Sequence, residues 1–421
     1  LHRAIAKFLR DDWDGAIEDA TKAIELDSKN AGAWVTRGQA RLGKGDQARA
    51  LEDLNQGIEL DPDDEVGYEV RAGLREKSGD LKGALADEAR VLELTPDSTE
   101  ALEVHGRLSY ALGDHAGAIA DWTKAIGIRP SPSAFNNRGA AKTLQGDLAG
   151  ARDDLARAVE LAPGDAETRR NLGAIKSKLG DHAGGKAELL KAIELAPKSA
   201  TGWLDLCREE ASVGDWDGSI GHATKTIELD PKCAEAFHIR AISLKNKGDA
   251  DGALVDFARA LELDPRYALS YRQRGLLYFT RRDYARARED YTRAIELEPG
   301  AEVSWRIRGR VEFNTGDNAA AIADLTRAFE LEPMAESMGY RGFAKVNAGD
   351  NDGAIVDITR ALEMDPKWAF AYSGRGEAKE NKKDHAGAIA DYERALELGP
   401  GESQAPEWRQ IVAALKKKLG R

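Results

Sequence analysis

The stretch Gly248–Pro265, Gly-Asp-Ala-Asp-Gly-Ala-Leu-Val-Asp-Phe-Ala-Arg-Ala-Leu-Glu-Leu-Asp-Pro, decides how the whole chain is read. Its Asp249 has counterparts at Asp12, Asp46, Asp80, Asp114, Asp147, Asp181, Asp215, Asp283, Asp317, Asp350 and Asp384, at intervals of 34 residues apart from two of 33. Its closing Pro265 belongs to a second series in the same register, running from Pro62 to Pro400. Self-similarity at this period marks a repeat array, in which each unit packs only on its neighbours and a long body needs no large central core. The 421 residues therefore divide into about twelve units over residues 1–400, the first truncated at its N-terminus, and a distinct segment 401–421.

Each unit predicts two helices. In the unit holding the opening stretch, Phe237, Ala241 and Leu244 recur at helical spacing. Gly248 suits a left-handed helix stop, and Asp249 suits the N-cap of the helix that follows. Ala253, Leu254, Phe257, Ala260 and Leu261 share one face of that second helix, and Pro265 ends it. Small residues at facing places (Ala241 with Ala253, Gly38 with Ala50, Gly139 with Ala151) set how closely the two helices approach, since overpacking costs about 1–3 kcal/mol. The fold class expected is all-α, a solenoid of antiparallel helix pairs. In the last segment Trp408, Ile411, Val412 and Leu415 fall on one face, as a helix capping the open apolar end would require.

The order large, small, small, large, small, Pro resembles the tetratricopeptide repeat. Trp34, Gly38, Ala50, Leu54, Gly57 and Pro62 match its signature places, as do Trp305, Gly309, Ala321, Leu325, Ala328 and Pro333. The resemblance implies a right-handed superhelix whose concave face is lined by the first helix of each pair, helix A. One departure recurs. The family's usual tyrosine, three residues after the small residue of helix A, survives only as Tyr278, and the place is mostly basic: Lys7, Arg41, Arg75, Lys142, Lys176, Lys345 and Lys379.

Composition excludes several function classes. A net charge of −12 argues against a nucleic-acid binder. No apolar run approaches the roughly 18 residues of a membrane span. Cys207 and Cys233 lack CxxC spacing, so no disulfide framework is expected, which fits a reducing, cytoplasmic setting. The chain opens at Leu1 inside the first repeat, so residues upstream are expected, and periplasmic or organellar settings stay open with them. No P-loop, GxGxxG or nucleophile elbow occurs, and the seven histidines lack metal-ligand spacing. Neither catalysis, a metal nor a cofactor is expected.

Two patterns remain. Arg3, Arg37, Arg71, Arg138, Arg240, Arg274, Arg308, Arg341 and Arg375 each precede the small residue of helix A, and an aspartate recurs at a fixed place on the second helix, helix B. The exceptions coincide in repeats six and seven, as Leu172 with Glu188 and Leu206 with His222. This predicts an arginine–carboxylate bridge inside each repeat. The second pattern concerns the lining places that the resemblance implies. They hold Asn137, Arg170, Asn171, His238, Arg272, Gln273, Phe279, Arg306, Arg310 and Phe313. Arg170, His238, Arg272 and Arg306 share one place, and with Arg310, Phe279 and Phe313 they form a basic, partly aromatic stripe that suits an acidic or extended peptide. A solvated helix face would read the same way. The function expected is a non-enzymatic scaffold for a protein or peptide partner. A regulatory part of a larger enzyme, with its catalytic domain upstream, and a self-assembling structural protein are the alternatives. Arg169 at an apolar place and Gly184-Gly185 inside helix B mark Ala166–Pro231 as the segment expected to be softest.

Overall fold

A computed structural model describes residues 1–399 and 404–420. Among them are 25 α-helices and no strands, arranged as twelve consecutive A/B pairs and one further helix. Helix A of repeat eight spans Ala234–Asn246 and its helix B spans Ala250–Leu263. The turn between them is built as its residues dictate. Gly248 adopts φ +89°, and the Asp249 N–H returns to the Leu244 carbonyl at 2.9 Å. The Asp249 carboxylate then accepts from the Gly252 N–H at 2.9 Å, satisfying a donor that the helix start leaves open. All twelve aspartates of the series make this bond three residues ahead.

Packing follows the small–large pattern. Ala241, Ala253 and Phe257 are fully buried in one cluster with Leu277 of the next repeat. Burying a side chain the size of Phe257 stabilises by about 1.5–3 kcal/mol. The glycines at the small place of helix A mark true close approaches: a Cβ added at Gly309 would meet Leu325 Cγ at 2.7 Å. Gly185 belongs to this class as well, since a Cβ there would lie 2.9 Å from the Gly173 carbonyl oxygen and 2.2 Å from Ser177 Oγ. Two facing glycines thus leave no room for a side chain at either place in repeat six.

The chain divides into two compact units, Leu1–Glu209 and Glu210–Arg421, with the division inside Ala166–Pro231. Within each unit, helix A packs on its own helix B, and helix B on helix A of the next repeat. The last helix, Ala405–Lys418, lays Trp408, Val412 and Leu415 against Ala388, Ile389, Tyr392 and Ala395 of repeat twelve. The boundary expected at 400/401 lies outside the described residues. Among those described, no helix is long and apolar enough to cross a membrane.

Candidate functional site

The arginine–aspartate pattern forms a bidentate bridge in nine repeats. Arg37 donates through Nε and Nη2 to the two oxygens of Asp53 at 2.9 and 2.7 Å, and Arg375 does the same to Asp391 at 2.8 and 2.6 Å. The guanidinium also reaches the preceding repeat, as Arg240 does to Thr224 Oγ1 at 3.1 Å. One side chain therefore ties three helices. The basic residue at the family's tyrosine place completes the arrangement: Lys345 adds a 2.8 Å bond to Asp357, and Lys379 a 2.7 Å bond to Asp391. Burial alone would raise Asp357, but the bonds from Arg341 and Lys345 hold it below the ordinary range. Asp290 belongs to the repeat that keeps Tyr278 at that place, and burial lifts it, with Arg274 offsetting only part.

The exceptions are rewired rather than lost. In repeat six Arg169 and Lys176 both bind Glu188, at 2.9 and 3.0 Å. Arg169 also donates Nε to the Pro163 carbonyl at 2.9 Å, the bond that Trp203 and Trp305 make to Pro197 and Pro299. One arginine thus replaces both the aromatic residue and the missing arginine. In repeat seven the polarity inverts, with buried Glu210 on helix A and His222 on helix B, 2.6 Å apart. Repeat four, which the sequence pattern did not separate, keeps Asp121 but pairs it with His105 at 2.7 Å. The expected coincidence of arginine and aspartate losses is corrected accordingly.

The ten lining residues are not equally placed. His238 is withdrawn from the surface: it is 3% exposed, its Nδ1 lies 2.7 Å from Ser270 Oγ, and Tyr267 covers its ring at 4.6 Å. Burial, with a smaller contribution from Lys245, lowers its pKa to about 4. Gln273 accepts from Lys245 at 2.7 Å. In the first unit Asn137 is half-buried, Asn171 donates to Asn136 at 3.2 Å, and Arg170 pairs with Asp205 at 3.3 Å. In the second unit the arginines of the stripe are already engaged. Arg272 pairs with Glu298, Arg306 with Glu302 and Glu336 at 2.8 and 2.5 Å, and Arg310 with Glu336 at 2.7 Å. Arg310 also lies between the rings of Phe279 and Tyr340, 5.0 and 4.8 Å from their centroids. Phe313 continues the row to Tyr340 and Phe343.

That row leads to a cavity of about 510 Å³ that sequence reasoning missed. Phe313, Phe343, Phe370 and Trp408 give it an aromatic wall, and Glu377, Glu380 and Glu407 give it three carboxylates. Glu377 is raised above the ordinary range, chiefly by desolvation and then by Glu380 and Glu407, although its side chain keeps access to solvent. Part of the signal was in the register: Glu377 stands where repeat ten has Arg310, and Glu380 where it has Phe313. The remainder comes from the last helix, which has no counterpart in the repeats. Among the described residues, no group of three or more His, Cys, Asp or Glu is placed to hold a metal ion.

Comparison with known proteins agrees with the repeat. The family profile described as tetratricopeptide repeat matches residues 3–65, 104–166, 272–333 and 341–403, and a second profile of that description matches 166–199. A stretch of 38 residues is 58% identical to tetratricopeptide repeat protein 36 of Homo sapiens, covering 9% of this chain and 20% of that protein. The chain therefore spans about a fifth of the length of that curated relative. Among solved structures, the APC/C hetero-tetramer Cut9-Hcn1 is similar at 15% identity over 98% of this chain and 95% of that one, with a TM-score of 0.44. Yeast Tom70 is similar at 17% identity over 93% and 96%, with a TM-score of 0.37.

Proposed function

Because the chain belongs to the tetratricopeptide repeat family, we propose that it is a non-catalytic scaffold that docks a segment of a partner protein along the helix-A face of its repeats. One observation carries this reading. The bridges and caps are repeated from unit to unit and are satisfied internally, while the aromatic row Phe279, Phe313 and Phe370, backed by buried Phe343, is not part of them. Phe370 is 42% exposed. Aromatic side chains held open on a rigid helical face are the usual anchors of an interface. An acidic partner would have to displace Glu298, Glu302 and Glu336 from Arg272, Arg306 and Arg310, so the basic stripe is open to such a partner only by exchange.

An array of nonamer peptides probed with the full chain tests the proposal. Saturable, sequence-dependent binding is expected, weakened in the Phe279→Ala, Phe313→Ala or Phe370→Ala variant. Absence of any binding, or binding indifferent to all three changes, would contradict it.

A further inference from the structure

The helix-A face of the second unit ends in a cavity whose charge is unlike that of the rest of the face. Elsewhere on the helix pairs of this unit several carboxylates are met by cations of the same chain. Asp357 receives Arg341 and Lys345, and Glu336 receives Arg306 and Arg310. The C-terminal cavity breaks this habit. It is lined by Glu377, Glu380 and Glu407, and among its described lining residues there is no Lys, Arg or His. Of the cations on the same helices, Arg375 and Lys379 are committed to Asp391 and Lys416 to Glu393 at 2.8 Å, while Arg409, Lys417 and Lys418 do not line the cavity. Like charges converging on one wall without a counter-charge destabilise each other, and a cation placed among them relieves that repulsion.

The apolar part of the wall narrows the choice of cation. Phe370 packs edge-on to Phe343 at 5.1 Å while staying 42% exposed, so an aromatic surface is held open beside the carboxylates. Trp408, itself 6% exposed, lines the cavity from the last helix, with Glu407 next to it in sequence. A cavity of about 510 Å³ is of ligand-pocket size. Phosphate groups of nucleic acids or lipids would be repelled by the three carboxylates. An arginine or lysine would not, because its methylene stem covers aromatic surface while its head meets the acids.

We infer that this cavity docks an arginine- or lysine-bearing, partly apolar segment of a partner protein, with the cation between Glu377 and Glu407 and an adjacent apolar side chain on Phe370 and Trp408. The inference rests on the scaffold reading above and specifies the partner's chemistry at one end of it.

The nonamer array, probed with the full chain and with a Glu377→Gln/Glu407→Gln variant, tests this. Peptides with Arg or Lys beside Leu, Phe or Met are expected to be selected. Their binding should weaken at least about tenfold in the double variant, the loss of charge-assisted contacts, and should fall as salt rises. Phe370→Ala should weaken the same peptides without changing the salt dependence. Unchanged thermal unfolding shows that each variant is folded, and Glu407→Gln alone serves if the double variant is not. A cationic preference that survives the glutamine changes overturns the inference. So does selection of neutral or acidic peptides whose binding depends on Arg272 or Arg306, although the scaffold reading then stands. Failure to select any peptide overturns both.

Discussion

Two stretches of one face treat charge in opposite ways. At Arg272, Arg306 and Arg310 each guanidinium is met by a carboxylate of the same chain. At Glu377, Glu380 and Glu407, three carboxylates share a cavity wall with no cation among its described lining residues. Read along the sequence, the first looks like a site and the second does not. In the structure the first already holds partners of its own and the second does not, and on the reading proposed above a charge is available to a partner only where the fold has not already answered it. The same distinction separates the framework bridges from a few misfits, and it can be broken or sharpened at several points.

The largest effect is expected where the internal answer is most complete. Asp391→Ala leaves Arg375 and Lys379 without their shared acid, and breaking a buried pair of this kind costs about 3–5 kcal/mol. Chemical unfolding followed by hydrogen exchange should place the loss in repeat twelve. A cost under about 1 kcal/mol would mean that the bridges are ornamental, as exposed ion pairs are.

Glu88 is the opposite case. It occupies the core place held by Leu54 and Trp122 in the neighbouring repeats. Burial raises its pKa from 4.5 to about 7, Glu69 and Asp87 adding to the rise and His105 and Arg107 opposing it. The folded chain therefore holds this proton more tightly than the unfolded one. Its contribution to stability is fully present below about pH 4.5 and is lost as pH rises through about 7. Glu88→Leu should stabilise the first unit by about 1–3 kcal/mol at pH 8 and flatten that slope. A destabilised variant would show that Glu88 is answered after all.

His238 should give a slope of the other sign in the second unit. Its folded pKa lies near 4, below the ordinary 6.5, so the stability it contributes is present above pH 6.5 and is lost as pH falls through 4. At pH 5 the neutral His238→Gln variant should lose less stability relative to pH 8 than the parent, by about 1–2 kcal/mol. Equal losses would place the acid sensitivity elsewhere.

Arg306→Gln should have the smallest effect, about 1 kcal/mol, since Arg310 still answers Glu336 and the glutamine amide can still donate to Glu302. Binding of an arginine–leucine peptide should change less than about twofold, well under 1 kcal/mol. A large loss of that peptide would move the contact from the cavity to the stripe.

How far the sequence could be read follows from where each partner lies. The caps and stops were legible because Asp249, Gly248 and Pro265 act within a few residues. The Arg37–Asp53 type of bridge was legible because a helix pair fixes the offset between its partners and eight other repeats copy it. The neutralisation of the stripe was not, since Glu298, Glu302 and Glu336 come from turns and helix starts outside the compared places. His238 was not legible as buried, because Tyr267, which covers it, comes from the following turn. Repeat six looked defective because Arg169 combines two tasks that other repeats divide. The cavity was illegible for the plainest reason: Glu407 and Trp408 belong to a helix with no place in the register.

The central claim is that only unanswered charge on this face is available to a partner. Hydrogen–deuterium exchange of the full chain, with and without a selected arginine–leucine nonamer, tests it most directly. Protection confined to Ala369–Asn381, Ala335–Asn347 and Ala405–Lys418 is the result expected. Protection centred on Ala268–Thr280 and Glu302–Thr315, where the arginines already have partners, would contradict it.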